Sequence, residues 1–225
     1  MGFFSASLRI AEKDLKAEFR RTYEILSILT FSVSAILICS FAWGGAIVTD
    51  SEVASAALWI ILFFASVLTF TTSFAREMDR GTLGGLKTLP CSSLSILFGK
   101  VLYATVLLLL VEGVLLPFSV VFLNLKISGK FLDFLLIFIL GMVDLSFAGS
   151  FVSGLVMFSE GKTLLLSFLL FPVCMPVLIS SVLATDKIIG GVGVVDVMPE
   201  LKLLLAFLLC IIAVAGLTFK FVLEE

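Results

Sequence analysis

The chain has 225 residues, 60% of them apolar and 14% charged, with a net charge of −2 and a mean hydropathy of +1.24. Soluble domains are about half apolar and about a quarter charged, so this composition excludes an ordinary soluble enzyme and calls for a bilayer. The small net charge gives no footing for nucleic acid, and the absence of histidine removes the commonest metal ligand, the usual proton shuttle and the commonest axial haem ligand.

Residues 1–22 come first and are rich in charge. Phe4, Leu8, Ala11, Leu15 and Phe19 recur there at three- to four-residue steps, with charged residues between them. That pattern predicts an amphipathic helix lying in the membrane interface, an anchor with no catalytic part. A bilayer core about 30 Å thick needs roughly 20 apolar residues per helical span. Six stretches qualify: Ile25–Val48, Val53–Ala75, Val101–Leu125, Phe131–Phe158, Thr163–Thr185 and Leu203–Phe219. The first is too long for a signal peptide and follows a charged segment, so it reads as a retained helix. Continuous runs rather than alternation make the spans helices and not barrel strands. The expected fold is an all-α integral membrane bundle of six transmembrane helices, with residues 1–225 forming a single membrane domain.

Eleven lysines and arginines fall on one side of these spans (Arg9, Lys13, Lys16, Arg20, Arg21, Arg76, Arg80, Lys87, Lys100, Lys162 and Lys220). Only Lys126, Lys130, Lys187 and Lys202 fall on the other. The positive-inside rule then puts both termini and the 76–95 loop in the cytoplasm, and the 186–200 loop outside.

The loop that follows the second span is the most informative stretch. Charges cluster at its start, Thr82 is a candidate cap for a short helix, and Leu83, Leu86 and Leu89 form a stripe that Pro90 ends. Such a stripe suits a groove on a partner protein, or else rests on lipid. Two nucleotide-like motifs fail on order and setting. Gly161-Lys162-Thr163 lacks the upstream glycine, since Val156 stands there, and Gly81–Thr88 has its residues in the wrong sequence. If ATP drives this protein, another chain binds it.

Within the spans, acids are expensive and point to function by default. Glu112 either is satisfied by neighbouring helices or lines a path, while Asp144 reads first as structural. Pro117 lies close to Glu112. Pro172 and Pro176 share one face of the fifth span, as a static kink or as a hinge. Gly141, Gly149 and Gly154, with Ser146 and Ser150, offer small surfaces for close helix packing. The four cysteines, Cys39, Cys91, Cys174 and Cys210, fit no metal or redox spacing.

These residues also carry a likeness. Ser73-Phe74-Ala75-Arg76-Glu77, then Gly81-Thr82-Leu83, Leu86, Pro90 and Gly99-Lys100, resemble CcmB, or haem exporter protein B, the permease subunit of the cytochrome c maturation ABC transporter. Glu112 with Leu115-Leu116-Pro117, Leu140-Gly141 with Gly149, and the run Leu170–Ile179 with its two prolines agree as well. The resemblance covers nearly the whole chain and implies an ABC-2-exporter-like permease with a cytoplasmic coupling helix between spans two and three. By that likeness Arg76, Glu77, Gly81, Thr82, Leu83, Leu86 and Pro90 dock on a separate P-loop ATPase subunit, which holds the ATP. It further implies a second haem-handling membrane subunit and a homodimer or heteromeric complex. The cargo would be haem, or something needed to free haem from its chaperone, with no cofactor held by this chain. A permease for a lipid or drug, or a scaffold subunit that transports nothing, are the other readings.

Overall fold

The computed structural model describes residues 2–43, 51–79, 81–82, 84–85, 91–125 and 131–224. Among them the chain forms α1 (Phe3–Phe19), α2 (Thr22–Ala42), α3 (Ser51–Asp79), α4 (Ser93–Phe122), α5 (Phe131–Val156), α6 (Lys162–Ile189), a 3₁₀ turn (Val194–Val197) and α7 (Met198–Glu224). No strand occurs among the described residues. From α2 to α7 every helix is long and apolar enough to cross a membrane, which makes six spans. The protein is a six-span helical membrane bundle.

Several boundaries differ from the apolar runs, for a common reason. Backbone hydrogen bonding does not stop where side chains become charged. The last span therefore extends from Met198 to Glu224, well past Lys202 and Lys220. Similarly, α4 begins at Ser93, where Ser92 Oγ accepts the amide of Ser95 at 3.2 Å. Most of the 186–200 segment is helical too: α6 runs through Ile189 before Gly191, at φ +88°, turns the chain. Lys187 and Glu200 close this corner between α6 and α7 with an ion pair of 2.7 Å.

At the centre stands α5, which packs against α3, α4, α6 and α7. Glycines make the closeness possible. A Cβ at Gly149 would sit 2.0 Å from the Phe70 ring, one at Gly141 2.3 Å from Trp59, and one at Gly154 2.7 Å from Phe219. Aromatic side chains of α3 and α7 thus occupy the space that these three residues leave empty. Lipid tails are as apolar as the core, so such interdigitation, and not apolar burial, holds membrane helices together. Ser153 Oγ adds a bond to the Phe70 carbonyl at 3.1 Å. By contrast, α2 and α7 are the least buried spans and turn most of their surface outward.

The apolar stripe expected on α1 is divided: Ala11 is buried and Leu15 packs against the core. Phe4 (79% exposed), Leu8 and Phe19 form an outward apolar surface. The opposite face, with Ser7, Ile10, Asp14 and Glu18, is buried against the bundle, chiefly on α4. Two of the intervening charges are therefore inside the protein and not in solvent.

Candidate functional site

The end of α3 is fixed by local chemistry. Gly81 adopts φ +65°, a left-handed conformation that costs other residues strain. Its amide donates to the Met78 carbonyl and that of Thr82 to the Glu77 carbonyl, each at 3.0 Å. These are the two bonds of a Schellman closure. In addition, the Thr82 hydroxyl donates to Glu77 Oε2 at 2.5 Å. Gly81 and Thr82 thus stop the helix and orient the Glu77 side chain at once.

Three helices meet at that carboxylate. Glu77 Oε1 accepts from Lys13 Nζ of α1 at 2.7 Å and from Lys100 Nζ of α4 at 3.3 Å. Lys100 also faces Asp14 Oδ2 at 2.9 Å, an ion pair without an aligned hydrogen bond. Lys13 lies 3.2 Å from Asp14 Oδ1. Two cations and two anions therefore balance within one cluster. Lys100 is only 3% exposed and its ammonium also lies 5.3 Å from the centre of the Phe74 ring, whereas Lys13 is half in solvent.

Burial alone would push the Glu77 carboxyl up. The charge of Lys100, hydrogen bonds from Lys13 and Thr82, and the charge of Lys13 outweigh it and bring the carboxyl down to about 2. At Lys13 burial opposes the charged form, but Asp14 and Glu77 together raise its ammonium above the usual lysine value.

Around the cluster α1 is seated on α4 by direct contacts. A Cβ at Gly99 would lie 2.7 Å from Ile10 Cβ, so the two helices touch there. Ser7 Oγ donates to the Ser95 carbonyl at 3.0 Å, and Tyr103 OH to Glu18 Oε2 at 2.9 Å. Among the described residues the joint pairs its charges with one another across α1, α3 and α4.

Of the residues that the sequence singled out, Glu77, Gly81 and Thr82 come together here. The side chain of Arg76 and the whole of Leu83, Leu86 and Pro90 lie outside the described residues. Glu112 and Asp144 are buried in the spans, and neither carboxyl meets a hydrogen-bond partner among the described residues. The prolines do not join these acids. Pro117 is exposed on α4 while Glu112 is buried, and Pro172 and Pro176 share the exposed side of α6, with Cys174 turned inward. Continuous helix passes through all three. Asp14, Lys13, Glu18 and Tyr103 were not singled out, because their partners lie 64 to 86 positions away in the chain. Lys100, seven residues into an apolar helix, was the one visible sign.

The family model described as CcmB protein matches residues 5–224, nearly the whole chain. The chain belongs to the CcmB family. No curated protein matches the chain. Membership, together with six apolar spans, makes this a multi-pass membrane protein of cytochrome c biogenesis. It supports a permease role in a haem-exporter ABC system, as a membrane subunit among others of a complex.

Proposed function

We propose that this CcmB-family chain is the membrane permease that couples ATP hydrolysis on a separate P-loop ATPase subunit to movement of the bundle during haem delivery or release. The observation that carries this reading is the Glu77 hub. The segment expected to receive an ATPase, residues 76–95, is continuous with a carboxylate that ties α3 to α1 and α4. A push on that segment reaches three helices through ion pairs instead of dissipating in a loose loop. Arg76, Glu77, Gly81, Thr82, Leu83, Leu86 and Pro90 form the docking element in this account.

In this account both termini and residues 76–95 face the cytoplasm of a cytoplasmic membrane, and residues 1–22 lie in the interface with Phe4, Leu8 and Phe19 in lipid. A second haem-handling membrane subunit and a second permease unit, identical or related, complete the complex. Glu112 and Asp144 are the buried intramembrane candidates for contact with cargo in this account, and Pro117, Pro172 and Pro176 are candidate bending points on the exposed faces of α4 and α6. The test is c-type cytochrome maturation in cells that carry Leu83→Glu/Leu86→Glu. Loss of maturation with normal membrane levels of the variant supports coupling; normal maturation refutes the docking assignment.

A further inference from the structure

The middle of the bundle holds polar atoms for which the cytoplasmic joint has no use. Asp144, at the centre of α5, is 0% exposed, and neither of its carboxyl oxygens has a hydrogen-bond partner among the described residues. Ser181 Oγ on α6 and Ser55 Oγ on α3 are buried in the same condition.

These groups lie along one seam. Gly141, one turn before Asp144, has its Cβ position 2.3 Å from the Trp59 ring and 3.1 Å from Ser181 Oγ, so α3 and α6 both press on α5 there. Trp59 Nε1 donates to Thr185 Oγ1 at 2.9 Å. Thr185 is one turn beyond Ser181, and Ser55 one turn before Trp59. Cys174, two turns below Ser181, lies on the same buried face of α6. At its outer end the seam reaches Ser51, which donates to the Asp186 carboxylate. Polar side chains therefore run from the outer corner of α3 and α6 to the carboxyl at mid-bundle.

A buried carboxyl and two buried hydroxyls without partners are unfavourable in a protein interior, and more so at membrane depth. Interiors satisfy such groups with ordered water that makes about three hydrogen bonds per molecule. A dry interior at this seam would leave four polar oxygens unmatched, two on Asp144 and one on each serine.

We infer that Asp144, Ser181 and Ser55 form a binding site for ordered water where α3, α5 and α6 meet. Water bridges three helices without fixing them to one another, because each oxygen keeps a partner as the helices shift. That consequence rests on the permease reading; the hydration itself does not.

Radiolytic hydroxyl-radical footprinting of the full chain in lipid nanodiscs, read by mass spectrometry, tests the site. Bound water generates radicals in place and oxidises reactive side chains beside it. Cys174 and Met142 are both 0% exposed, and Met142, two residues from Asp144, faces elsewhere on α5. The expected result is oxidation of Cys174 several-fold above that of Met142, falling to the Met142 level in Asp144→Leu and falling part-way in Ser181→Ala. Ser181→Ala removes one oxygen only and carries the test if Asp144→Leu does not assemble. Cys174 as inert as Met142 in the unmodified chain, or oxidation unchanged in Ser181→Ala, overturns the site.

Discussion

Glu77 Oε1 stands 3.3 Å from Lys100 Nζ, a pair formed between the end of the second span and the start of the third. Lys13 and Asp14 of α1 complete the same cluster, at 2.7 Å from Glu77 and 2.9 Å from Lys100. The sequence separates α1 from α3 by one span and from α4 by two, yet the three share one cluster of ion pairs.

The two lysines differ in burial, and their loss should differ accordingly. Removing one partner of a buried ion pair costs about 3–5 kcal/mol because the remaining charges stay buried. Exposed pairs contribute at most about 1 kcal/mol. Lys100→Met should therefore lower the melting temperature of the detergent-purified chain markedly, and Lys13→Met only slightly. Equal shifts would show that Lys100 is not the centre of the joint.

The pH dependence follows from the same cluster. Glu77 is depressed from 4.5 to about 2 in the folded chain, so its contribution is complete above pH 4.5 and disappears as pH falls through about 2. Lys13 is raised, so its contribution is present below 10.5 and disappears as pH rises through its higher folded value. The melting-temperature difference between the natural chain and Glu77→Gln should stay constant from pH 5 to pH 8 and shrink below pH 4. A difference that grows on acidification contradicts the assigned ion pairs.

Helix packing gives a third contrast. Gly149→Ala places a methyl 2.0 Å from the Phe70 ring, whereas Gly113→Ala meets nothing within 4 Å. Overpacking of this kind costs about 1–3 kcal/mol. Thermal unfolding should separate the two variants clearly, and Phe70→Leu should relieve part of the Gly149→Ala defect. If Gly113→Ala destabilises the chain as much, the fit of aromatics into glycine gaps is not what holds α5.

Seating of α1 on α4 can be followed directly. A short bifunctional thiol reagent should link Ser7→Cys to Ser95→Cys, in a chain whose own cysteines are replaced by serine, because the Ser7 hydroxyl reaches the Ser95 backbone carbonyl at 3.0 Å. Adding Gly99→Leu, which drives a side chain into Ile10, should cut the cross-linking yield several-fold. Unchanged yield would mean that α1 is held elsewhere.

Much of the fold was legible because a bilayer imposes a length on apolar runs, and six runs gave six spans. The ends were harder to place. Lys202 and Lys220 bracket the last apolar run, but backbone hydrogen bonds continue through charged residues and α7 spans Met198–Glu224. Glu77, Gly81 and Thr82 were visible as a local motif, and the geometry gives the last two a plain task in closing α3. Their partners on α1 were not visible. Asp14 and Glu18 look like solvated charges of an amphipathic helix, and nothing periodic shows that Lys100 and Tyr103, more than 80 residues later, receive them.

The central claim is that residues 76–90 take hold of an ATPase. Affinity purification of the tagged chain from native membranes, beside the Leu83→Glu/Leu86→Glu variant, tests it most directly, with partners identified by mass spectrometry. The account predicts a P-loop ATPase and a haem-handling membrane subunit with the natural chain, and loss of the ATPase alone with the variant. A folded natural chain that recovers no ATPase, or a variant that recovers as much as the natural chain, would contradict it.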